Sequence, residues 1–164
     1  MTSDGRSIEE LLQQTPFLQA LSSSDLSKVA GIATVEQFEA SAVLFQEGSR
    51  CDRLYLVVEG LIALEMCMPR RGCVRILTVG PREIVGVSAL LNNVRMTTRA
   101  MAVEATTLIA FPAQELRTLC DADHDVGYAV MTELSVALAF RLLATRLQLL
   151  DVFGETQPAD RSDS

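Results

Sequence analysis

The stretch GPREIVGVSALLNN, Gly80 to Asn93, sets a glycine, Gly86, at a strand-to-helix corner ahead of a short run, Val87–Ser88–Ala89–Leu90. Backbone N–H groups that open outward at such a corner form a cradle for a phosphate or another anion. The corner offers donors but lacks a carboxylate. Elsewhere, reactive side chains are sparse. Cys51, Cys67, Cys73 and Cys120 make no C-x-x-C pair, and His124 is the one histidine, so no metal site is expected. The cysteines are expected to be reduced, in strands and a helix. His124, within DADHD, reads as a solvated helix start. No Ser, Cys or Thr carries a local nucleophile motif, and no enzymatic activity is expected.

A cradle needs a frame. The 164 residues fit one domain, with 49% hydrophobic and 21% charged residues, a globular composition. Formal net charge is -7 and the 14 Lys and Arg are scattered, which disfavours direct nucleic-acid binding. No apolar run approaches the length of a membrane span, and MTSDGRSIEELLQQ has no secretory pattern, so a soluble, cytoplasmic protein is expected.

Ser7 and Glu10 read as a capping box, with Ile8, Leu11 and Leu12 forming a short apolar face that Pro16 stops. SSSDLSKVAGIA repeats the serine cap, with Leu26, Val29, Ala30 and Ile32 at helical spacing. From Thr34 to Pro112 the period becomes two, with turn signals every 8 to 12 residues, the pattern of a compact antiparallel sandwich or roll. In LIALEMCM, Ile62, Leu64, Met66 and Met68 fall on one face and Leu61, Ala63, Glu65 and Cys67 on the other. After Pro112 the helical period returns in AQELRTLC. A long helix is then expected from about Asp125 to Phe153, capped by Asp123 or Asp121.

On that helix Met131, Ser135, Leu138, Leu142, Thr145, Leu149 and Val152 alternate four and three apart, as in a coiled-coil seam. Val130, Leu134, Ala137, Ala144 and Leu147 make a second stripe. A helix so apolar on several sides is expected to pack one stripe on the roll and the other on a second copy, giving a homodimer. The organisation is therefore an N-terminal helical segment (1–33), a β-roll (34–112) with the cradle within 80–99, C-terminal helices (113–153) and a disordered tail (154–164). The fold class is mainly β with flanking helices, a double-stranded jelly roll.

The order of these parts, with LFQEGSRCDRLYLVVEGLIALEM, IVGVSAL and FRLLATRLQLL, resembles the cyclic-nucleotide-binding domain of the catabolite activator and protein kinase regulatory subunit family. The likeness covers about residues 8 to 153. It includes turn glycines at Gly48 and Gly60, where positive φ is needed. IVGVSAL is similar to the family's phosphate-binding cassette. The resemblance implies a small-ligand site built from Gly86, Val87, Ser88 and Ala89, with the short helix directing N–H groups at a cyclic phosphate.

Val87 stands where the family has the glutamate that accepts the ribose 2'-hydroxyl. Leaving that hydroxyl unpaired costs about 1 to 3 kcal/mol, roughly ten- to a hundredfold in affinity. Direct counting puts Met96 at the family's phosphate arginine, with Arg95 and Arg99 as neighbouring candidates. Thr145 matches the hydroxyl that contacts the purine in the bacterial activator, and its Oγ1 can alternatively bond the carbonyl of Arg141. The chain ends about ten residues past the helix, so no output domain of its own is expected.

Two functions compete. One is a stand-alone sensory domain that binds a cyclic nucleotide or other anion and signals to an unknown protein partner through the long helix. The other is a dimeric interaction module without a ligand, its pocket filled by Val87, Val94 and Met96. A regulator working with a separate DNA-binding partner is a further alternative.

Overall fold

A computed structural model describes residues 6–70, 72–91 and 95–154. The amino end folds as read. Helix α1 (Ile8–Gln13) opens with the capping box: the Glu10 N–H donates to Ser7 Oγ at 3.2 Å, and the Ser7 N–H donates to Glu10 Oε2 at 2.8 Å. Both ends of the box satisfy N–H groups that a helix start leaves without intrahelical partners. Pro16 does not only stop the chain. It begins a single 3-10 turn, Pro16–Leu18, which buries Leu18. Helix α2 (Ser23–Gly31) is capped by Ser22 and buries Leu26 and Val29.

Eight strands follow: β1 (Thr34–Phe38), β2 (Val43–Phe45), β3 (Arg53–Glu59), β4 (Ile62–Met68), β5 (Gly72–Val79), β6 (Ile84–Val85), β7 (Arg99–Ala102) and β8 (Thr106–Pro112). They form two four-stranded antiparallel sheets, ordered β1-β8-β3-β6 and β2-β7-β4-β5. The chain passes from one sheet to the other at almost every connection, which makes a roll. Core residues come from both sheets, among them Tyr55, Val57 and Val85 from one and Ile62, Leu64, Ala100 and Ala102 from the other. At Gly60, φ is +89°, and an added Cβ would lie 2.4 Å from Thr106 Oγ1. Only glycine fits that turn. In β4 the first residues are buried on both faces, whereas Met66 and Met68 emerge at the hairpin end.

That hairpin corrects one expectation. Cys67 and Cys73 are joined by a disulfide, while Cys51 and Cys120 stay free. The spacing has no metal signature, but the two cysteines flank the MPRRG turn symmetrically, and strand register sets them directly opposite each other.

After β8, helix α3 (Ala113–Ala122) leads into α4 (His124–Gly154). Asp123 Oδ1 accepts from the N–H groups of Asp125 and Val126 at 3.2 and 3.3 Å, so Asp123 is the cap. Lys28 Nζ bridges Asp25 and Asp123 at 2.7 and 2.6 Å, tying α2 to the corner between α3 and α4. Asp25, Asp123 and Asp125 cluster there, and the ammonium neutralises what would otherwise be crowded negative charge.

Helix α4 buries Val126, Ala129, Val130 and Leu134, with Ala137 and Ala144 partly covered. Burial of each larger apolar side chain contributes about 1.5 to 3 kcal/mol. Of the second stripe only Leu147 departs, being exposed. Met131, Leu138, Leu142 and Leu149 are half-exposed, with Leu138 at 50% and Leu142 at 52%. Thr145 and Ser135 on the same seam are exposed as well. Val152 of the seam and the tail from 155 onward lie outside the described side chains. A second expectation also needs correction: the helix His124–Asp151, with an 18-residue window of mean hydropathy 1.5, is long and apolar enough to cross a membrane. Only 22% of that window is buried, so packing on the roll covers a minor part of the apolar surface of α4.

Candidate cradle at Gly86

The corner is held by its backbone. Gly86 has φ +85° and ψ 27°, the left-handed region, between β6 and a 3-10 turn Val87–Leu90. A Cβ there would sit 2.7 Å from the carbonyl oxygen of Arg53, with Phe45 and Tyr55 ring carbons at 3.7 Å. Conformation and space both demand glycine. The turn is closed by the Ala89 N–H donating to Gly86 O at 2.8 Å.

The side chains of this segment split in two. Ser88 is half-buried, whereas Val87, 5% exposed, and Ala89 and Leu90 are buried in the hydrophobic interior. Met96, at the counted arginine position, is 3% exposed, and its backbone bonds to the Gly48 turn on both sides: Gly48 N–H to Met96 O at 2.7 Å and Met96 N–H to Ser49 O at 2.9 Å. Val94 lies outside the described residues.

Neither candidate arginine bonds to the Gly86–Leu90 segment. Arg95 Nη1 donates to Gly48 O at 2.8 Å. Arg99 pairs in register with Glu65 and lies 3.5 Å from its Oε2. It also approaches Met101 Sδ and Cys73 Sγ. Strand alternation puts Arg99 and Met101 on the face of β7 opposite the buried Ala100 and Ala102. Thr145 Oγ1 donates to Arg141 O at 2.9 Å, the local alternative its position on the helix allows.

Two other arginines reach the cassette. Arg117 of α3 donates through Nη1 to Ala89 O at 2.8 Å, and Arg141 of α4 donates through Nη2 to Ile84 O. The helices thus hold the backbone on each side of Gly86. Sequence carried one signal for this: Arg141 interrupts the inward stripe of α4, where a charge must find a buried partner. Burial lowers the Arg141 pKa, opposed by the nearby Glu83 carboxylate. Glu133, on the same groove of about 170 Å³ between α4 and the roll, is raised by burial and then by Glu83. In chemical terms the site offers backbone donors around a rigid corner and a route from that corner to two helices.

A family model for the cyclic nucleotide-binding domain matches residues 35–123. A candidate cyclic nucleotide-binding protein from Geobacter metallireducens is 27% identical with a TM-score of 0.71, covering 82% of this chain and 98% of that one. A cyclic nucleotide-binding domain from Methylobacillus flagellatus shares the fold with a TM-score of 0.76 at 18% identity, covering 94% of this chain and 85% of that one. A candidate potassium channel protein from Rhodopseudomonas palustris is 24% identical over 109 residues, 66% of this chain and 26% of the channel protein. The chain spans about a quarter of the length of the curated relatives it matches. A roll with a glycine-cornered cassette, matched by a family model over more than half of its residues, places the chain in the cyclic nucleotide-binding domain family.

Proposed function

We propose that this chain is a non-catalytic regulatory domain that holds a small anionic, nucleotide-like ligand at Gly86, Val87, Ser88 and Ala89 and passes its occupancy to a partner protein through α4. The observation that carries the reading is the double grip on the cassette, Arg117 to Ala89 O and Arg141 to Ile84 O. A cassette that moves inward around an anion must move these carbonyls, and α3 and α4 with them. Coupling follows only for a ligand that binds one helix position better than the other.

Cyclic AMP and cyclic GMP are poor fits as ligands. Val87 accepts no hydrogen bond from a ribose, and Met96 brings no charge to a phosphate. Arg95 and Arg99 serve the anion only after leaving their present partners. The domain acts as a homodimer through the α4 seam, in the cytoplasm, without contacting nucleic acid or membrane. A second reading, a ligand-free interaction module, draws on the burial of Val87 and Met96 in the hydrophobic interior.

Thermal unfolding separates the two. An anion at ten times its dissociation constant adds about 1.4 kcal/mol of stability, a rise of roughly 3 to 6 °C for a domain of this size. Inorganic phosphate or nucleoside monophosphates at millimolar concentration should give such a rise, and cyclic AMP or cyclic GMP at micromolar concentration none. No response to any anion would favour the interaction module, and several degrees at micromolar cyclic nucleotide would overturn the ligand assignment.

A further inference from the structure

The Cys67–Cys73 disulfide lies at the exposed end of the β4–β5 hairpin, where both residues are open to solvent. Its two sulfurs sit in different electrostatic settings. Arg99 Nη1 lies 3.7 Å from Cys73 Sγ, and Arg99 Nε is buried without a hydrogen-bond partner among the described residues. At the other cysteine, the Cys67 N–H donates to Glu47 Oε2 at 2.9 Å, which sets a carboxylate beside that residue. Glu65 shares the Arg99 guanidinium at 3.5 Å, Arg75 is paired with Glu65 across the β4–β5 ladder, and Arg70 is at the turn. The guanidinium beside Cys73 Sγ makes the pair unequal as leaving groups.

We propose that this disulfide is a site of reversible exchange with low-molecular-weight thiols, with Cys67 as the sulfur attacked and Cys73 as the sulfur released. An external thiolate forms a bond to Cys67 Sγ while the Cys67–Cys73 bond breaks, and its electron pair leaves on Cys73 Sγ beside Arg99. Charge on the departing sulfur is stabilised by the guanidinium, and a better-stabilised thiolate leaves faster. A second external thiolate then attacks the external sulfur of the mixed disulfide and releases Cys67 as a thiolate. Protons from water complete both cysteines. In total one disulfide gains two electrons and two protons, and two thiols become one external disulfide. Cys51 and Cys120 are half-buried and their thiols are raised by burial, which leaves them poor participants.

The test is regiochemical. Air-oxidised protein is exposed briefly to glutathione, quenched with acid and N-ethylmaleimide, and the adducts mapped by mass spectrometry. Glutathione should appear on Cys67 in about fivefold or greater excess over Cys73. Arg99→Gln should bring the ratio near unity, and Arg99→Lys should restore the bias. Equal adducts in the wild type, an excess on Cys73, a ratio unchanged by Arg99→Gln, or oxidised protein in which both cysteines already react with N-ethylmaleimide would each overturn the proposal. None of these readouts depends on whether an anion binds at Gly86.

Discussion

The corner at Gly86 cannot accommodate one extra carbon: φ is +85° and the Arg53 carbonyl would stand 2.7 Å from a Cβ. Such a residue is required by the fold itself. Val87 and Met96, the positions that the sequence resemblance sets against polar partners of the family, are both buried hydrocarbon. At the same scale, Lys28 acts as a structural counter-ion. Its hydrogen bonds, with help from the Val126 N–H, hold the Asp123 carboxyl down to about 2, below the usual 3.8. Asp123 and Asp25 in turn raise Lys28 above its ordinary 10.5. The Asp123 contribution to stability is therefore complete above its unfolded value and is lost as pH falls through the folded one. The Lys28 contribution is complete below 10.5 and is lost only as pH rises through its raised value. Lys28→Met should flatten the acid limb between pH 4 and pH 2, read from urea midpoints; limbs of equal steepness in the two proteins would show that the bridge does not act this way.

Among the elements, α4 does the most. Its inward stripe of Val126, Val130 and Leu134 docks it to the roll, and Gln148 Nε2 donates to Ile76 O at 2.7 Å near its far end. The seam of Met131, Leu138, Leu142 and Leu149 is left half in solvent, an apolar row through which the proposed homodimer pairs. Leu138→Asp or Leu142→Asp should raise the dimer dissociation constant by about a hundredfold or more, since an unpaired carboxylate would be buried at the contact. Sedimentation velocity checks this; an unchanged dimer would move the interface to another face. The elements were legible in sequence where the signal was local. The capping box, the serine cap of α2, the cap at Asp123 and the strand period all rest on neighbouring residues. What sequence did not reveal depended on distant partners: the Cys67–Cys73 pairing needs hairpin register, and the grips of Arg117 and Arg141 need the cassette to fold back onto α3 and α4.

For the whole molecule, the family fold was readable because glycine turns, cassette and long helix occur in one order, whereas the site was only partly so. Alternation along β7 decides the direction of Arg99, and it points toward Glu65 and Cys73 on the face away from Ala100 and Ala102. A regulatory domain of this kind works only if a ligand at one end of the cassette is felt along the helix. Backbone amide NMR measures that most directly. Titration with inorganic phosphate and with a nucleoside monophosphate at millimolar concentration should shift the amides of Gly86 to Leu90, with Ile84, Arg117 and Arg141 moving in the same concentration range. Amides of Gly86 to Leu90 that stay fixed throughout, or that shift while α4 does not respond, would contradict a ligand-driven signal through this domain.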